Sequence, residues 1–271
     1  MLYFGIIGYP IGHSVSPAMH NSAFEHLGID AIYLKFEVKP EDLRDAILGA
    51  RALGFRGFNV TIPHKEAVLK YVEPVGIAKM IGAVNTLLLP ELKGYNTDAY
   101  GAMEALRRAG VDVEGKRALV VGAGGAGRAI AFALAEKGAY VIVTNRTESR
   151  GLKLAEDVRK VGKCVFHPYD RLEELRGNLD IIVNATPLGM KGFESKLPVP
   201  EVLIERGCVV FDTVYNPLET PLIKLAKERG CKVVYGIDML VYQGAEAFKI
   251  WLGIDPPVEV MREAALSALR S

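Results

Sequence analysis

Between Arg117 and Gly127 the chain reads RALVVGAGGAG, an apolar run that breaks into four glycines within six residues. Few folds accommodate this. A short apolar stretch bounded by such a turn reads as a strand of a parallel sheet covered on both faces, and the glycines then have separate tasks. Gly122 permits a tight turn, Gly124 lets backbone approach a pyrophosphate, and Gly127 allows the next helix to pack closely on the strand. Ala123, Gly125 and Ala126 complete the G-x-G-x-x-G spacing, and the helix N-terminus that follows presents its N–H groups to an anion. Glycine-rich turns also merely join strands to helices, so the order of elements decides. Here strand, loop and a helix expected over residues 127–137 fall in the confirming order.

The alternation continues downstream. YVIVTNR, a helix over residues 148–160, DIIVNAT, CVVFDTVY, a helix near residues 221–229 and KVVYG predict a Rossmann-type, doubly wound parallel sheet. Upstream lie a strand over 3–8, a helix over 17–27, AIYLKFEV, a helix over 40–53, GFRGFNVTI, a helix after Pro63 and the strand-like AVNTLLL. These predict a second α/β sheet with helices on both faces. A helix over about 98–109 ends at Gly110, and the polar VDVEGKR marks the junction, so residues 1–110 form one domain and 111–236 the other. Helices over 239–252 and 258–269 return the segment 237–271 to the first domain.

Composition narrows the function. The 271 residues carry 33 basic and 32 acidic side chains, a net charge of +1, which gives no electrostatic footprint for nucleic acid or an anionic membrane. A small molecule is the expected partner. No run of about 18 apolar residues occurs, and MLYFGIIGYP lacks a basic n-region, so it reads as a buried strand rather than a leader or a span. Cys164, Cys208 and Cys231 form no CxxC pair and suit neither a disulfide framework nor a zinc site, which fits a reducing cytoplasm. The five histidines have no metal-ligand spacing, His64 reads as structural, and no metal is expected. Monomer or homodimer is left open.

Where an NAD-binding chain offers a carboxylate to the ribose 2′-OH, this one ends its second Rossmann strand with Asn145, Arg146 and Thr147 and adds Arg150. An acid would repel a 2′-phosphate, whereas Arg146 can stack on adenine or pair with the phosphate, and Arg150 adds a second guanidinium. NADP is therefore expected over NAD, although Glu148 stands nearby and both arginines also suit a solvated helix start.

Four polar stretches interrupt the apolar frame of the first domain: Ser14–Pro17, Asn59–Lys65, Ala83–Thr86 and Asn96–Asp98. Each is expected at or after a strand end, where α/β folds place ligand crevices, and their hydroxyls and amides suit a polyol. Alternation in FNVTIP puts Asn59 and Thr61 on one face, with Lys65 a turn later. A lysine can give a proton to the oxygen formed when hydride reaches a ketone, and Asp98 would orient it. Each residue also has an ordinary role: Lys65 as a surface lysine, Asp98, Ser14 and Ser16 as caps or turn residues, Asn59, Asn85 and Asn96 as turn amides.

Taken in order, GYPIGHSVSPAMHN, GFNVTIPHK, GAVNT, GYNTD, VVGAGGAGRA, TNRT, NATPLGM, DTVYNP and GIDMLVYQGAEAF resemble the shikimate dehydrogenase family along nearly the whole chain. The resemblance implies an N-terminal α/β substrate domain with a mixed sheet, a Rossmann-type NADP domain, and a cleft between them that closes on the substrate. It implies the NADP-dependent reversible reduction of 3-dehydroshikimate to shikimate, a step toward chorismate and the aromatic amino acids. By it, Lys65 and Asp98 are the catalytic pair, Ser14 and Ser16 bind the carboxylate, and Asn59, Thr61, Asn85, Tyr215 and Gln243 contact the substrate. Residues 122–127, Asn145, Arg146, Thr147 and Arg150 take the adenosine phosphate side of the coenzyme, and Thr186, Gly236 and Met239 the nicotinamide side. Met239 and Gln243 share one helical face, and Met239 has an alternative as a core residue. Two rivals stand beside this reading: a quinate/shikimate dehydrogenase using NAD, and a non-catalytic NADP(H)-sensing regulator.

Overall fold

The computed structural model describes residues 1–190, 192–193 and 196–270. The chain opens with β1 (Leu2–Gly8), α1 (Ser16–His26), β2 (Ala31–Glu37), α2 (Leu43–Ala52), β3 (Gly57–Val60), β4 (Glu73–Pro74), α3 (Ile77–Ile81), β5 (Thr86–Leu88), β6 (Lys93–Tyr95) and α4 (Thr97–Arg108). It continues through β7 (Arg117–Val121), α5 (Gly125–Glu136), β8 (Tyr140–Thr144), α6 (Glu148–Val158), β9 (Cys164–Phe166), β10 (Ile181–Asn184), β11 (Val209–Asp212), α7 (Pro221–Glu228) and β12 (Lys232–Tyr235). It closes with α8 (Gly236–Leu252) and α9 (Val258–Arg270). Residues 1–101 with 241–271 form one compact unit and residues 102–240 another, so α4 and α8 carry the chain from one to the other and back.

The first unit is built on a six-stranded mixed sheet in the order β2-β1-β3-β5-β6-β4. β1 runs parallel to β2 and β3, and β5 runs antiparallel to both β3 and β6. That reversal assembles the site. Because β5 is inverted, its start lies at the same edge as the ends of β3 and β6, with Thr86 opposite Asn59 on one side and Tyr95 on the other. Ile7, Ile47, Phe58 and Val60 pack on the α2 side of this sheet. Phe4, on the opposite face, meets Phe24 of α1 and Trp251 of α8, and α9 packs on α1. A side chain at Gly57 would collide with the Trp251 ring, whose Nε1 donates to the Leu87 carbonyl at 2.9 Å.

The second unit holds six parallel strands in the order β12-β11-β10-β7-β8-β9. The chain winds outward from β7 through β9 and then crosses to β10, so the order reverses between β7 and β10. Ligands of doubly wound sheets bind beyond the strand ends at such a reversal. Leu119, Ile142, Ile182, Val210 and Leu222 make the core on one side of the sheet.

Several local expectations need correction. The segment after Pro63 is a turn, with His64 N donating to the Thr61 carbonyl at 2.9 Å, and only residues 67–70 wind into a 3-10 helix. The buried His64 ring, 2.7 Å from the Val38 carbonyl through Nε2, anchors that turn. The helix expected over 40–53 begins as one 3-10 turn and becomes α-helical at Leu43. β4, β6, β9 and α3 were not expected, being two to five residues long and thus too short to show a period. The α5 helix starts at Gly125 rather than Gly127, and α8 starts at Gly236 rather than Met239.

Candidate active site

At the shared edge of β3, β5 and β6, Lys65 Nζ lies 2.5 Å from Asp98 Oδ2, with only 15% and 7% of the two side chains exposed. Asp98 sits in the first turn of α4, where an anion is favoured by the helix N-terminus. It is not the cap, because Asn96 Oδ1 accepts from Ala99 N at 3.2 Å. The other carboxylate oxygen, Oδ1, accepts from Asn85 Nδ2 at 2.9 Å.

Asn85 is fixed by its neighbours. Its Oδ1 accepts from Thr97 N at 2.7 Å, while its Nδ2 also reaches Thr97 Oγ1 at 3.0 Å and Gln243 Oε1 at 3.3 Å. Turning the amide over would set its oxygen against the Asp98 carboxylate and its NH₂ against the Thr97 N–H, two repulsive contacts in a buried place. Gln243, on α8, also accepts from Thr97 Oγ1 at 3.4 Å and is buried.

The remaining candidates of this unit divide in two. Ser14 and Ser16 are buried just before and at the start of α1, with Ser16 N donating to Ser14 Oγ at 3.3 Å, so Ser14 performs the turn role as well. Thr61 follows β3 and is half-buried. Asn59 is engaged on every side: its Oδ1 accepts from Tyr33 OH at 2.7 Å, and its Nδ2 donates to the Asn85 carbonyl at 3.2 Å and to Thr86 Oγ1 at 3.1 Å. Asn59 thus holds the strand start that bears Asn85.

In the second unit the glycine turn is a fitted cradle. Gly122 has φ of +110°, and a Cβ there would stand 2.8 Å from the Ala185 carbonyl oxygen in the loop after β10. A Cβ at Gly127 would strike the Gly122 carbonyl, while Gly124 opens onto free space. The N-cap of α5 is Gly124, which has no side chain to cap the helix, and Gly125 and Ala126 begin its first turn. Its first N–H groups have no partner within the helix and point where a pyrophosphate would bind. These residues fit a dinucleotide.

Asn145, just past the end of β8, is part-buried and bonded within the loop. Its Oδ1 accepts from Ala123 N at 3.0 Å and its Nδ2 donates to the Thr147 carbonyl at 2.8 Å, so it shapes the loop. Arg146, Thr147 and Arg150 are exposed beside it, and Arg150 Nη2 lies 3.5 Å from the Ala123 carbonyl. Thr186 belongs to the loop after β10, Tyr215 follows β11 and is half-buried, Gly236 begins α8, and Met239 is buried on its first turn.

Sequence reasoning missed one buried network here. Thr186 N and Oγ1 donate to Asn184 Oδ1 at 3.0 and 2.6 Å, and Asn184 Nδ2 donates to Asp212 Oδ1 at 2.9 Å. Asp212 also accepts from Val214 N at 3.0 Å and Thr220 Oγ1 at 2.7 Å. Burial outweighs these bonds and pushes its carboxyl up to about 6. The available signal was a polar residue closing each apolar strand, IIVN and VVFD.

Comparison with known proteins places this geometry. Family models match residues 6–87 as a shikimate dehydrogenase substrate binding domain, 104–191 as shikimate / quinate 5-dehydrogenase, and 236–266 as a shikimate 5'-dehydrogenase C-terminal domain. Shikimate dehydrogenase (NADP(+)) of Archaeoglobus fulgidus is 62% identical over 270 residues, covering 100% of each chain. The chain belongs to the shikimate dehydrogenase family. Among solved members, a shikimate dehydrogenase in complex with NADP+ superposes with a TM-score of 0.93 at 42% identity, covering 99% of this chain and 96% of its own. The Thermus thermophilus shikimate 5-dehydrogenase, in complex with NADP(H) and shikimate, gives 0.90 at 42% identity, covering 99% and 100%. No described helix is long and apolar enough to cross a membrane, and no described group of histidine, cysteine and acidic residues could hold a metal ion.

Proposed function

We propose that this protein catalyses the reversible, NADP-dependent reduction of 3-dehydroshikimate to shikimate. The observation that carries the reading is the buried Lys65–Asp98 pair, 2.5 Å apart, set in a ring of hydroxyls and amides within a chain of this family. Bound NADPH supplies the hydride. Lys65 gives a proton to the C3 oxygen of the substrate on reduction and withdraws it on oxidation, while Asp98 holds the ammonium and accepts from a ring hydroxyl. Ser14 and Ser16 bind the carboxylate, and Thr61, Asn85, Gln243 and Tyr215 receive the ring hydroxyls. A ligand lacking those hydroxyls would leave buried amides unpaired, which gives the site its specificity.

Residues 1–110 with 237–271 serve as the substrate domain and 111–236 as the NADP domain. Gly122 to Gly127 hold the pyrophosphate at the start of α5, Arg146, Thr147 and Arg150 hold the 2′-phosphate, and Thr186, Gly236 and Met239 lie along the nicotinamide. Asn145 and Asn59 act as supports for the residues that bind. Free thiols at Cys164, Cys208 and Cys231 suit a reducing cytoplasm. The test is NADPH formation, followed by absorbance, from shikimate and NADP+ with the purified protein. Turnover is expected, and coenzyme binding without turnover would leave a sensor rather than an enzyme.

A further inference from the structure

Tyr33 has no part in the proposed reaction, yet it is the largest fully buried side chain among the described residues and its hydroxyl faces the polar cluster. It lies in the middle of β2, two strands away from β3. Its ring is stacked on His20 of α1, with centroids 4.4 Å apart and planes 11° from parallel, and it tilts against Trp251 of α8 at 6.1 Å. Neither ring nitrogen of His20 has a hydrogen-bond partner, and burial lowers its pKa to about 3, so the stack carries no charge. Burial also raises the Tyr33 phenol well above its ordinary value, which keeps it a neutral dipole. The phenol therefore orients; it does not titrate.

What it orients can be followed atom by atom. Tyr33 OH donates to Asn59 Oδ1 at 2.7 Å, which obliges Asn59 to present its NH₂ to the Asn85 carbonyl and to Thr86 Oγ1. Thr86 Oγ1, accepting that N–H, has its own proton for Asn85 Oδ1 at 3.3 Å or Thr97 Oγ1 at 3.1 Å. Either choice supports the Asn85 amide with its oxygen inward and its NH₂ toward Asp98 Oδ1 at 2.9 Å. Asp98 then holds Lys65.

We infer that Tyr33 is a positioning residue of the catalytic site: its hydroxyl sets the direction of the hydrogen-bond chain Asn59–Thr86–Asn85 that aims a donor at Asp98 and so aligns Lys65. The inference rests on the proposed dehydrogenase activity. Without the hydroxyl, Asn59 Oδ1 is buried and unpaired, its amide gains a reason to turn, and Thr86 loses the donor that orders it. The Lys65–Asp98 pair remains but is no longer held in one geometry, a fault felt in the chemical step.

The experiment is Tyr33→Phe, which keeps the ring and its stack, assayed beside wild type and in a double-mutant cycle with Asn59→Ser. The expected result is a kcat about tenfold lower with KM for shikimate within about threefold and KM for NADP+ unchanged. In the Asn59→Ser background the same change is expected to lower kcat by less than about twofold, because the two residues act through one chain. A purely structural phenol would lower the melting temperature and leave kcat of the folded protein unchanged. Should Tyr33→Phe fail to fold, Thr86→Val interrupts the same chain with an isosteric side chain and is read by the same criteria. Full kcat in the variant, or multiplying losses in the cycle, overturns the inference and leaves the dehydrogenase reading intact. Absence of shikimate turnover in the wild type overturns both.

Discussion

In the unit of residues 102–240, the surface proposed for the coenzyme is mostly backbone, six consecutive residues from Gly122 to Gly127. In the other unit the surface proposed for the substrate is side chains, drawn from the end of β3, the start of β5, the first turn of α4 and α8, so that Asn85 and Gln243 meet across 158 positions of chain. The contrast follows from the ligands. A pyrophosphate is a compact charge that N–H groups at a helix start can hold, whatever the side chains are. A polyol presents hydroxyls in several directions, and reading them takes donors and acceptors whose own orientation has been fixed. The first kind of site tolerates change everywhere except at its glycines, and the second depends on every member of its network.

The largest effect that could break this contrast lies at Lys65. Lys65→Ala is expected to lower kcat about a thousandfold, the range of a lost general acid, while the affinity for NADP+ measured by fluorescence holds. A fall in NADP+ affinity as large as the fall in kcat would mean that the two chemistries are not separable. Next is the end of the second unit where side chains rather than backbone are proposed to hold a phosphate. Arg150→Ala is expected to lower kcat/KM for NADPH about tenfold, as for a lost charge-assisted bond to phosphate, with little change for NADH. Equal losses with both coenzymes would remove Arg150 from the 2′-phosphate.

The legibility of the sequence follows the same line. The glycine turn was readable because its constraint is local: the φ of Gly122 and the closeness of Gly127 to Gly122 are settled within the turn itself. Lys65 and Asp98 were readable as residues out of place in an apolar frame, but their pairing was an expectation from chemistry and resemblance. Tyr33 was not readable, since AIYLKFE gives no sign that one tyrosine is wholly buried and turned toward an asparagine 26 residues on. The mixed character of the first sheet came from the resemblance alone, because β5 and β6 are three residues each and carry no direction. Asn145 shows what motif reading leaves out: besides standing where a coenzyme contact is expected, it ties Ala123 to Thr147.

A smaller effect sharpens the view of the second unit. Asp212 is buried with its carboxyl raised to about 6, against 3.8 ordinarily. Between those values the folded chain holds a proton that the unfolded chain has released, so stability from this group is present below pH 4 and is lost as pH rises through 6. The loss is on the order of a few kcal/mol. Asp212→Asn keeps the acceptor for Asn184 and Val214 without the charge. It is therefore expected to raise the melting temperature more at pH 8 than at pH 4.5. A difference independent of pH would show that the carboxylate is not desolvated as its surroundings imply.

The most direct test is a crystal structure of the complex with NADP+ and shikimate. The Lys65 amine is expected within about 3 Å of the C3 oxygen, still paired with Asp98. An amine turned to solvent, in a protein that turns over at full rate, would contradict the role assigned to it.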